Sequence, residues 1–240
     1  LGSLEVQGYG PVSVVKAKIN VPGQPAGEVK VRSGSVEPHM SGRAYFADAC
    51  QDDIYNHTQY VAWKLLGKTV RWTTNMSGAG CGCNAALYLT SLHQNQLGSD
   101  CADYYCDANK VCGVSCAEID LQEANEDAWH STLHVWDDGQ GVDNGIGGNA
   151  GQWSKLDYGP GARCIDTKKA FQSAISFPVD AQGNLQAMTV KLSQEGKPCT
   201  LSTSIGSYAA KGRDGMAELS EALAAGMTPI ISYWASDNML

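Results

Sequence analysis

The most informative stretch of the sequence is the acidic segment SCAEIDLQEAN, residues 115–125. Its carboxylates Glu118 and Asp120 alternate with apolar residues, and this alternation predicts a β-strand with an acidic face and an apolar face. Glu123 has the wrong parity for the acidic face. It joins Glu118 and Asp120 only if a β-bulge inserts one extra residue before it. The segment therefore predicts a bulged strand in a β-rich fold.

Three carboxylates held close together repel one another, and glycoside hydrolysis is a reaction that uses such a cluster. A retaining enzyme needs an ionised carboxylate as nucleophile and a protonated carboxyl group about 5–5.5 Å away as general acid. A third carboxylate between them helps to keep the pKa of the acid high. Because five residues of a straight strand extend roughly 16 Å, the sheet must curve strongly. A solvated acidic strand edge and a calcium site are the alternatives.

Most of the remaining sequence predicts short strands separated by turns, in one domain spanning residues 1–240. The segment at 180–184 predicts a hairpin turn, and the glycine-rich stretch 139–161 predicts a long loop. One short helix is predicted to begin at Asp214 and to end at Gly226. The predicted strands lie at residues 12–21, 64–75, 85–91, 171–177 and 185–192.

Composition and charge restrict the partners and the compartment. The net charge of −8 argues against nucleic acid or an anionic membrane surface as a partner, and no apolar run approaches the roughly 20 residues of a membrane helix. A neutral ligand fits better, and we expect a monomer. The nine cysteines lack the usual spacing of zinc ligands, so disulfides in an oxidising compartment are expected, with no metal or cofactor. Sequons at Asn56 and Asn75, and a first residue other than Met, agree with a processed, secreted glycoprotein.

The acidic segment resembles the E-x-D-x-x-E-A-N signature of glycoside hydrolase family seven, the cellobiohydrolases and endoglucanases that cut β-1,4-glucan. Four further stretches resemble the family in the same order, and residues 42–45 match more weakly. The resemblance implies an all-β, concanavalin-like β-sandwich (jelly roll) of two curved antiparallel sheets with a short helix near the C-terminus. The four stretches are residues 60–84, 85–92, 158–177 and 230–240.

The resemblance also assigns roles to the acidic residues. Glu118 would be the nucleophile, Glu123 the general acid/base and Asp120 the carboxylate between them, with His134 as an active-site histidine. We expect Glu118 to stay ionised and the pKa of Glu123 to be raised. His130 lies off the register of the family and is interpreted as a surface residue. The residues that would contact the sugar chain are Arg43, Asn84, Tyr88, Asp107 and Trp234.

The resemblance further implies a disulfide between Cys106 and Cys116. Strand adjacency adds the expectations that Cys101 pairs with Cys112 and that Cys164 pairs with Cys199. The odd count leaves a thiol without an intrachain partner, and the usual partner of Cys81 would lie past residue 240.

Several features depart from the family pattern. Gln122 stands where the family usually has Trp. The chain is much shorter than a typical member, which favours an open groove and internal cleavage over a tunnel. The resemblance also stops before the closing strand of the family, so either the chain is incomplete or the sandwich closes differently.

The sequence therefore predicts a secreted, retaining endo-β-1,4-glucanase. One alternative keeps the acidic motif and changes the polymer to a β-1,3-glucan, a mixed-linkage glucan or another wall glycan. A second alternative is a catalytically inactive carbohydrate-binding protein, and a third is a disulfide-rich structural wall protein.

Overall fold

The structure is a computed structural model that describes residues 1–51, 54–146 and 153–236. Two short 3-10 helices, at His57–Gln59 and Leu92–Gln94, accompany the strands and the single α-helix. In chain order, these elements are β1 Gly2–Val6, β2 Gly10–Lys16, β3 Ile19–Val21, β4 Gln24–Pro25, β5 Val29–Arg32, β6 Ser35–Pro38, β7 Gly42–Ala47, β8 Thr69–Thr74, β9 Cys83–Thr90, β10 Glu118–Ala124, β11 Trp129–His134, β12 Val142–Gly145, β13 Tyr158–Gly159, β14 Ile165–Asp166, β15 Phe171–Ser176, β16 Met188–Ser193, β17 Leu201–Ile205, β18 Ala209–Ala210, β19 Arg213–Asp214, α1 Gly215–Ala225 and β20 Thr228–Ala235.

Two antiparallel sheets dominate the fold. The larger has eight strands in the order β1-β2-β7-β20-β9-β10-β11-β12, and the smaller has four in the order β17-β16-β15-β8. Every pair of neighbouring strands in both sheets is antiparallel. The predicted all-β sandwich is confirmed.

An apolar core lies between the two sheets. Ile119 and Leu121 of β10 project into it from the larger sheet, and Phe171 and Ile175 of β15 project into it from the smaller one. All four side chains are almost completely buried. The inward direction of Ile119 follows from the alternation in the acidic segment, which leaves its carboxylates on the opposite face of the larger sheet.

A second, smaller core covers part of that opposite face. Tyr45 of β7 and Tyr88 of β9 pack there against Tyr105 and against the disulfide of Cys101 and Cys112. The segment that contains Tyr105 thus lies over the middle strands of the larger sheet. The site described below lies beside this covering, over strands β10 to β12.

The predicted helix is confirmed as α1. The carboxylate of Asp214 accepts a hydrogen bond from the backbone N–H of Ala217 and caps the first turn. Leu219 and Leu223 are fully buried against the core. Gly226 ends the helix with a φ of +105°, a backbone conformation that favours glycine.

Other predictions about the chain need correction or fall outside the described residues. The predicted loop at 139–161 contains the strand β12, which pairs with β11, whereas its residues 147–152 lie outside the described part. The predicted strand at 12–21 is divided into β2 and β3. The predicted turn at 180–184 joins β15 to its partner β16, as expected. Of the family-like stretch at 230–240, residues 237–240 are also outside the described part.

The three predicted disulfides are present. Cys101 is bonded to Cys112, Cys106 to Cys116 and Cys164 to Cys199. Cys50, Cys81 and Cys83 form no disulfide within the described residues. Where the structure describes the chain, none of its helices has the length and apolar character needed to cross a membrane.

Candidate active site

Strand β10 contains the predicted bulge. Against β11, Asp120 pairs with Thr132 and Glu123 pairs with His130, so that two residues of β10 oppose one residue of β11. The register against β9 shifts at the same place. The extra residue reverses the alternation of the side chains that follow it, and Glu123 therefore lies on the same face as Glu118 and Asp120.

These carboxylates line one cavity. It has a volume of about 250 Å³ and lies over β10, β11 and β12. Four of its lining residues are the predicted catalytic group, which the structure brings together, while their roles remain predictions. The lining residues are Asn109, Glu118, Asp120, Glu123, His130, Thr132, His134, Gly139, Gln140 and Asp143.

Glu118 is held at the buried end of the acidic face. It lies opposite His134, is only 7% exposed, and its Oε2 accepts a 2.9 Å hydrogen bond from the backbone N–H of Ala108. Burial raises the pKa of Glu118 well above its usual range, and the charges of Asp120 and Asp107 raise it further against the opposing effect of His134. Burial thus acts against the ionised form that a nucleophile needs, and the ionisation of Glu118 remains a prediction.

Asp120 forms a buried ion pair with His134. The Nε2 atom of His134 lies 2.9 Å from Oδ2 of Asp120, and its Nδ1 lies 2.9 Å from the backbone carbonyl of Asp138. Burial opposes a charge on the ring, but Asp120, Glu118 and the Asp138 carbonyl together raise the pKa of His134 to about 10. The ring is therefore an imidazolium that donates from both nitrogens and neutralises one charge of the cluster.

The segment after β11 fixes the position of the His134 ring. The hydroxyl of Tyr208 donates a 2.7 Å hydrogen bond to the side chain of Asp138 and accepts one from the backbone N–H of Val135. Gly141 adopts a φ of +63°, and a Cβ atom there would overlap the backbone carbonyl of Leu133 and lie 2.5 Å from Nδ1 of His134. A side chain at position 141 would therefore displace the ring.

Glu123 is hydrogen-bonded to the neighbouring strand β9. The side-chain amide of Asn84 on β9 donates a 2.7 Å hydrogen bond to its Oε1. Burial raises the pKa of Glu123 to about 7; the charges of Asp120 and Asp143 also raise it, whereas Asn84 and His134 act to lower it. The raised pKa expected for a general acid is thus present at Glu123.

Sequence reasoning missed a second histidine–carboxylate pair in the cavity. Nδ1 of His130 lies 3.0 Å from Oδ2 of Asp143, and Nε2 lies 2.7 Å from the carbonyl of Ile146. His130 stands directly across from Glu123 and lines the cavity, so its interpretation as a surface residue is wrong. Asp143 was missed because its strand fell in the glycine-rich stretch predicted as a loop. The predicted bulge before Glu123 was the signal that could have shown Glu123 to lie opposite His130.

None of the five predicted sugar-binding residues is among the residues that line the cavity. Two of them, Arg43 and Tyr88, lie over the middle strands of the larger sheet. Arg43 is 3% exposed, and its guanidinium donates to the backbone carbonyls of Ile19 and Asn20 while lying 3.6 Å from the centre of the Tyr105 ring. The hydroxyl of Tyr88 lies 3.0 Å from that of Tyr105. Both side chains belong to the small second core, and their contact with sugar remains a prediction.

The other predicted sugar-binding residues lie closer to the carboxylates. Asn84 contacts Glu123, as described. Trp234 of β20 pairs directly with Asn84, so both side chains project from the cavity face of the sheet. Asp107 is buried beside Glu118, and its Oδ1 accepts a 3.0 Å hydrogen bond from the backbone N–H of Val111. Asp107 does not line the cavity, and its charge raises the pKa of Glu118.

The sequence is similar to known endoglucanases. No protein-family model matches it. Endoglucanase EG-1 from Hypocrea jecorina is 30% identical over 209 residues, which represent 75% of this chain and 45% of that protein. The chain therefore spans about half the length of the curated relatives it matches.

The fold is similar to that of solved structures of the same class. A GH7 family cellobiohydrolase from Daphnia pulex superposes with a TM-score of 0.60 and 19% identity, covering 87% of this chain and 64% of that one. The Humicola insolens endocellulase EGI superposes with a TM-score of 0.60 and 17% identity, covering 98% of this chain and 84% of that one. At such identities the likeness establishes the fold. The chain is thus similar in sequence to curated endoglucanases, and in fold to a GH7 family cellobiohydrolase and to an endocellulase.

Proposed function

We propose that the chain is a retaining endo-β-1,4-glucanase that acts on a β-glucan in the cavity over β10 to β12. The observation that carries the proposal is the bulge, which places Glu123 beside Glu118 and Asp120 on one buried polar face. Without the bulge, Glu123 would point into the core, and the site would lack the carboxyl group that we propose as the general acid. The similarity to EG-1 supports β-1,4-glucan as the substrate.

The first step would form a bond between the protein and the sugar. An ionised oxygen of Glu118 attacks the anomeric carbon while the bond from that carbon to the glycosidic oxygen breaks. Glu123 gives its proton to the departing oxygen, so the leaving sugar departs as a neutral alcohol. The products of this step are a glycosyl ester on Glu118 and an ionised Glu123.

The second step would reverse the first with water in place of the leaving sugar. The ionised Glu123 removes a proton from a water molecule, whose oxygen attacks the anomeric carbon and displaces the Glu118 carboxylate. Two displacements at one carbon restore its configuration. Asp120, held by its contact with His134, stands between the two glutamates on β10.

The state needed for attack carries one proton on the two glutamates. Because burial raises the pKa of both, and because Asp120 lies close to each, their protons leave in two steps that belong to the pair. We expect activity to rise as the first proton leaves and to fall as the second leaves. Both limbs of the pH profile should lie above the range of an ordinary glutamate.

We also propose that residues 1–240 form one catalytic domain, monomeric and secreted. The three disulfides support an oxidising compartment. The polar cavity with its excess of carboxylates supports a neutral sugar chain as the ligand, and the net charge of −8 supports the exclusion of nucleic acid and anionic membranes.

The decisive experiment measures reducing-sugar release from carboxymethyl cellulose, laminarin and xylan by the wild-type chain and by Glu118→Gln. We expect release from carboxymethyl cellulose with a rapid fall in viscosity, which indicates internal cleavage, and none with the variant. NMR of the first product should show the β-anomer if configuration is retained.

Other outcomes select the alternatives. Faster release from laminarin would move the substrate to a β-1,3 or mixed-linkage glucan with the same residues in the same roles. Binding of cellohexaose by the wild type and Glu118→Gln alike, with no release from any polymer, would replace the enzyme with a carbohydrate-binding protein.

A further inference from the structure

Gln122 immediately precedes Glu123 in the chain but lies on the opposite side of the sheet. It is 7% exposed. Its side-chain oxygen accepts hydrogen bonds of 3.0 Å from Nε1 of Trp72 and from Oγ1 of Thr74, and its amide nitrogen donates one of 3.0 Å to the carbonyl of Ala85. The amide therefore joins the bulge to β8 in the opposite sheet and to the neighbouring strand β9.

These hydrogen bonds form only when Gln122 faces the interior. Gln122 lies at the sheet interface, where Leu121 and Phe171 belong to the apolar core, and a buried amide without partners would be strongly unfavourable there. The hydroxyl of Thr74 is also hydrogen-bonded to that of Ser173 of β15 at 2.9 Å, so the group that donates to Gln122 is held by a network within the smaller sheet. The interior thus contains hydrogen-bond donors and an acceptor that match the side-chain amide of a glutamine at position 122.

The direction of Gln122 determines the direction of Glu123. In a regular strand, residues 118, 120 and 122 would share one face, and residue 123 would face the core. The bulge reverses this order, so that an inward Gln122 and an outward Glu123 are one conformation. The hydroxyl of Ser131 also stabilises the bulge by donating a 2.8 Å hydrogen bond to the carbonyl of Leu121.

We propose that Gln122 is a positioning residue, which keeps Glu123 in the cavity by binding the bulge to strands of both sheets. The inference rests on the proposed function, in which Glu123 is the general acid/base. It also gives a role to the residue at which the acidic segment departs from the family motif.

The test compares Gln122→Leu, which removes all three hydrogen bonds at similar volume, with Thr74→Val, which removes one of them from the opposite sheet. A core variant of the smaller sheet, Val190→Ala, serves as a control for lost stability, because Val190 is buried away from the bulge. Each variant is assayed on carboxymethyl cellulose across pH, at temperatures below its Tm.

We expect Gln122→Leu to lower kcat about ten- to a hundredfold with little change in KM, because a displaced acid fails in the transition state. The alkaline limb of its pH profile should move to lower pH as Glu123 becomes more exposed. Thr74→Val should lower kcat and shift the alkaline limb in the same directions, but by smaller amounts. Val190→Ala should lower only the Tm. If Gln122→Leu retains the kcat and the pH profile of the wild type, the inference is overturned.

A readout that does not depend on turnover separates this inference from the proposed function. Titration of the ¹³C-labelled side-chain carboxyl of Glu123 by NMR should give a pKa near 7 in the wild type and a value nearer that of a free glutamate in Gln122→Leu. An inactive wild type would remove the proposed function and leave this comparison intact. An unchanged titration in Gln122→Leu and Thr74→Val would overturn the positioning role, and Thr74→Val alone decides it if Gln122→Leu does not fold.

Discussion

The side-chain amide of Asn84 donates a 2.7 Å hydrogen bond to Oε1 of Glu123 from the neighbouring strand. Asn84 is completely buried, and its amide oxygen accepts no hydrogen bond among the described residues. A donor at this position stabilises the ionised carboxylate, and it therefore lowers the pKa of Glu123 against the effect of burial. Asn84 thus sets how readily Glu123 gives up its proton.

Asn84→Ala should raise the pKa of Glu123, because the ionised form loses its donor. The general acid then stays protonated to higher pH, and the alkaline limb of the pH profile of kcat/KM should move upward. Thr90→Val is a matched control, since it removes a buried hydroxyl of the same strand that has no hydrogen-bond partner in the described structure. A downward shift in Asn84→Ala would contradict the assignment of this limb to Glu123.

Asp143→Asn should have the opposite effect. The negative charge of Asp143 raises the pKa of Glu123, so its removal should lower that pKa and move the alkaline limb to lower pH. The pH profile of the double variant with Asn84→Ala should lie between those of the two single variants. Equal shifts in the same direction in both single variants would show that general disturbance of the site, rather than charge, controls the profile.

Glu123→Gln should distinguish the roles of the two glutamates. On a glucan we expect turnover to fall about 10²- to 10⁴-fold, the contribution of a general acid. An aryl cellobioside with a good leaving group needs no proton for the first step, and azide should then replace the missing base in the second. The measurement is the rate with and without azide and the appearance of a glycosyl azide. If azide accelerates Glu118→Gln instead, the two roles are reversed.

Gly141→Ala should impair catalysis as well as stability. The new Cβ atom would lie 2.5 Å from Nδ1 of His134, and displacement of this ring breaks its pair with Asp120. We expect kcat to fall about tenfold or more. Gly183→Ala is the matched control, because it has a similar positive φ and nothing within 4 Å of the added atom. The positive φ should cost each variant about 1–2 kcal/mol of stability, measured by denaturant unfolding. Gly141→Ala should lose more than this, because its Cβ atom also overlaps the carbonyl of Leu133, and only Gly141→Ala should lose activity.

Loss of the Cys106–Cys116 disulfide should affect both stability and activity. This bond closes the segment that contains Ala108, whose backbone N–H binds Glu118. Replacing both cysteines by alanine should lower the free energy of unfolding by about 2–4 kcal/mol and also lower kcat. The same replacement at Cys164 and Cys199, which lie outside the cavity lining, should lower stability while kcat stays close to that of the wild type. Equal kcat values in the two variants would refute the proposed support of Glu118.

The sequence was sufficient to predict the geometry of the acidic strand. Strict alternation around Ile119 determined which residues face the core, and the wrong parity of Glu123 required a bulge, which the structure contains. Such local rules are strong because side chains of a strand alternate with a period of two. The predicted disulfides are also confirmed. The resemblance to the family, rather than a local rule, implied the bond between Cys106 and Cys116, and the six bonded cysteines all lie outside the strands.

The second half of the site depended on pairings that the sequence does not display. Asp143 belongs to a four-residue edge strand between glycines, and such a strand is defined by its neighbour rather than by its own composition. The burial of Arg43 depends on backbone carbonyls of β3, more than twenty residues away in the chain. Contacts of this kind arise from topology, and the alternation of polar and apolar residues carries no information about them.

The second core over the middle of the larger sheet distributes rigidity unevenly across the molecule. Strands β7 and β9 carry apolar packing on both faces, whereas β12 is a sheet edge beside a polar cavity. Amide hydrogens of β7 and β9 should therefore exchange only on global unfolding, and those of β12 should exchange through local opening. The local stability of the larger sheet should therefore be highest in β7 and β9 and lowest in β12, the strand that borders the reacting groups.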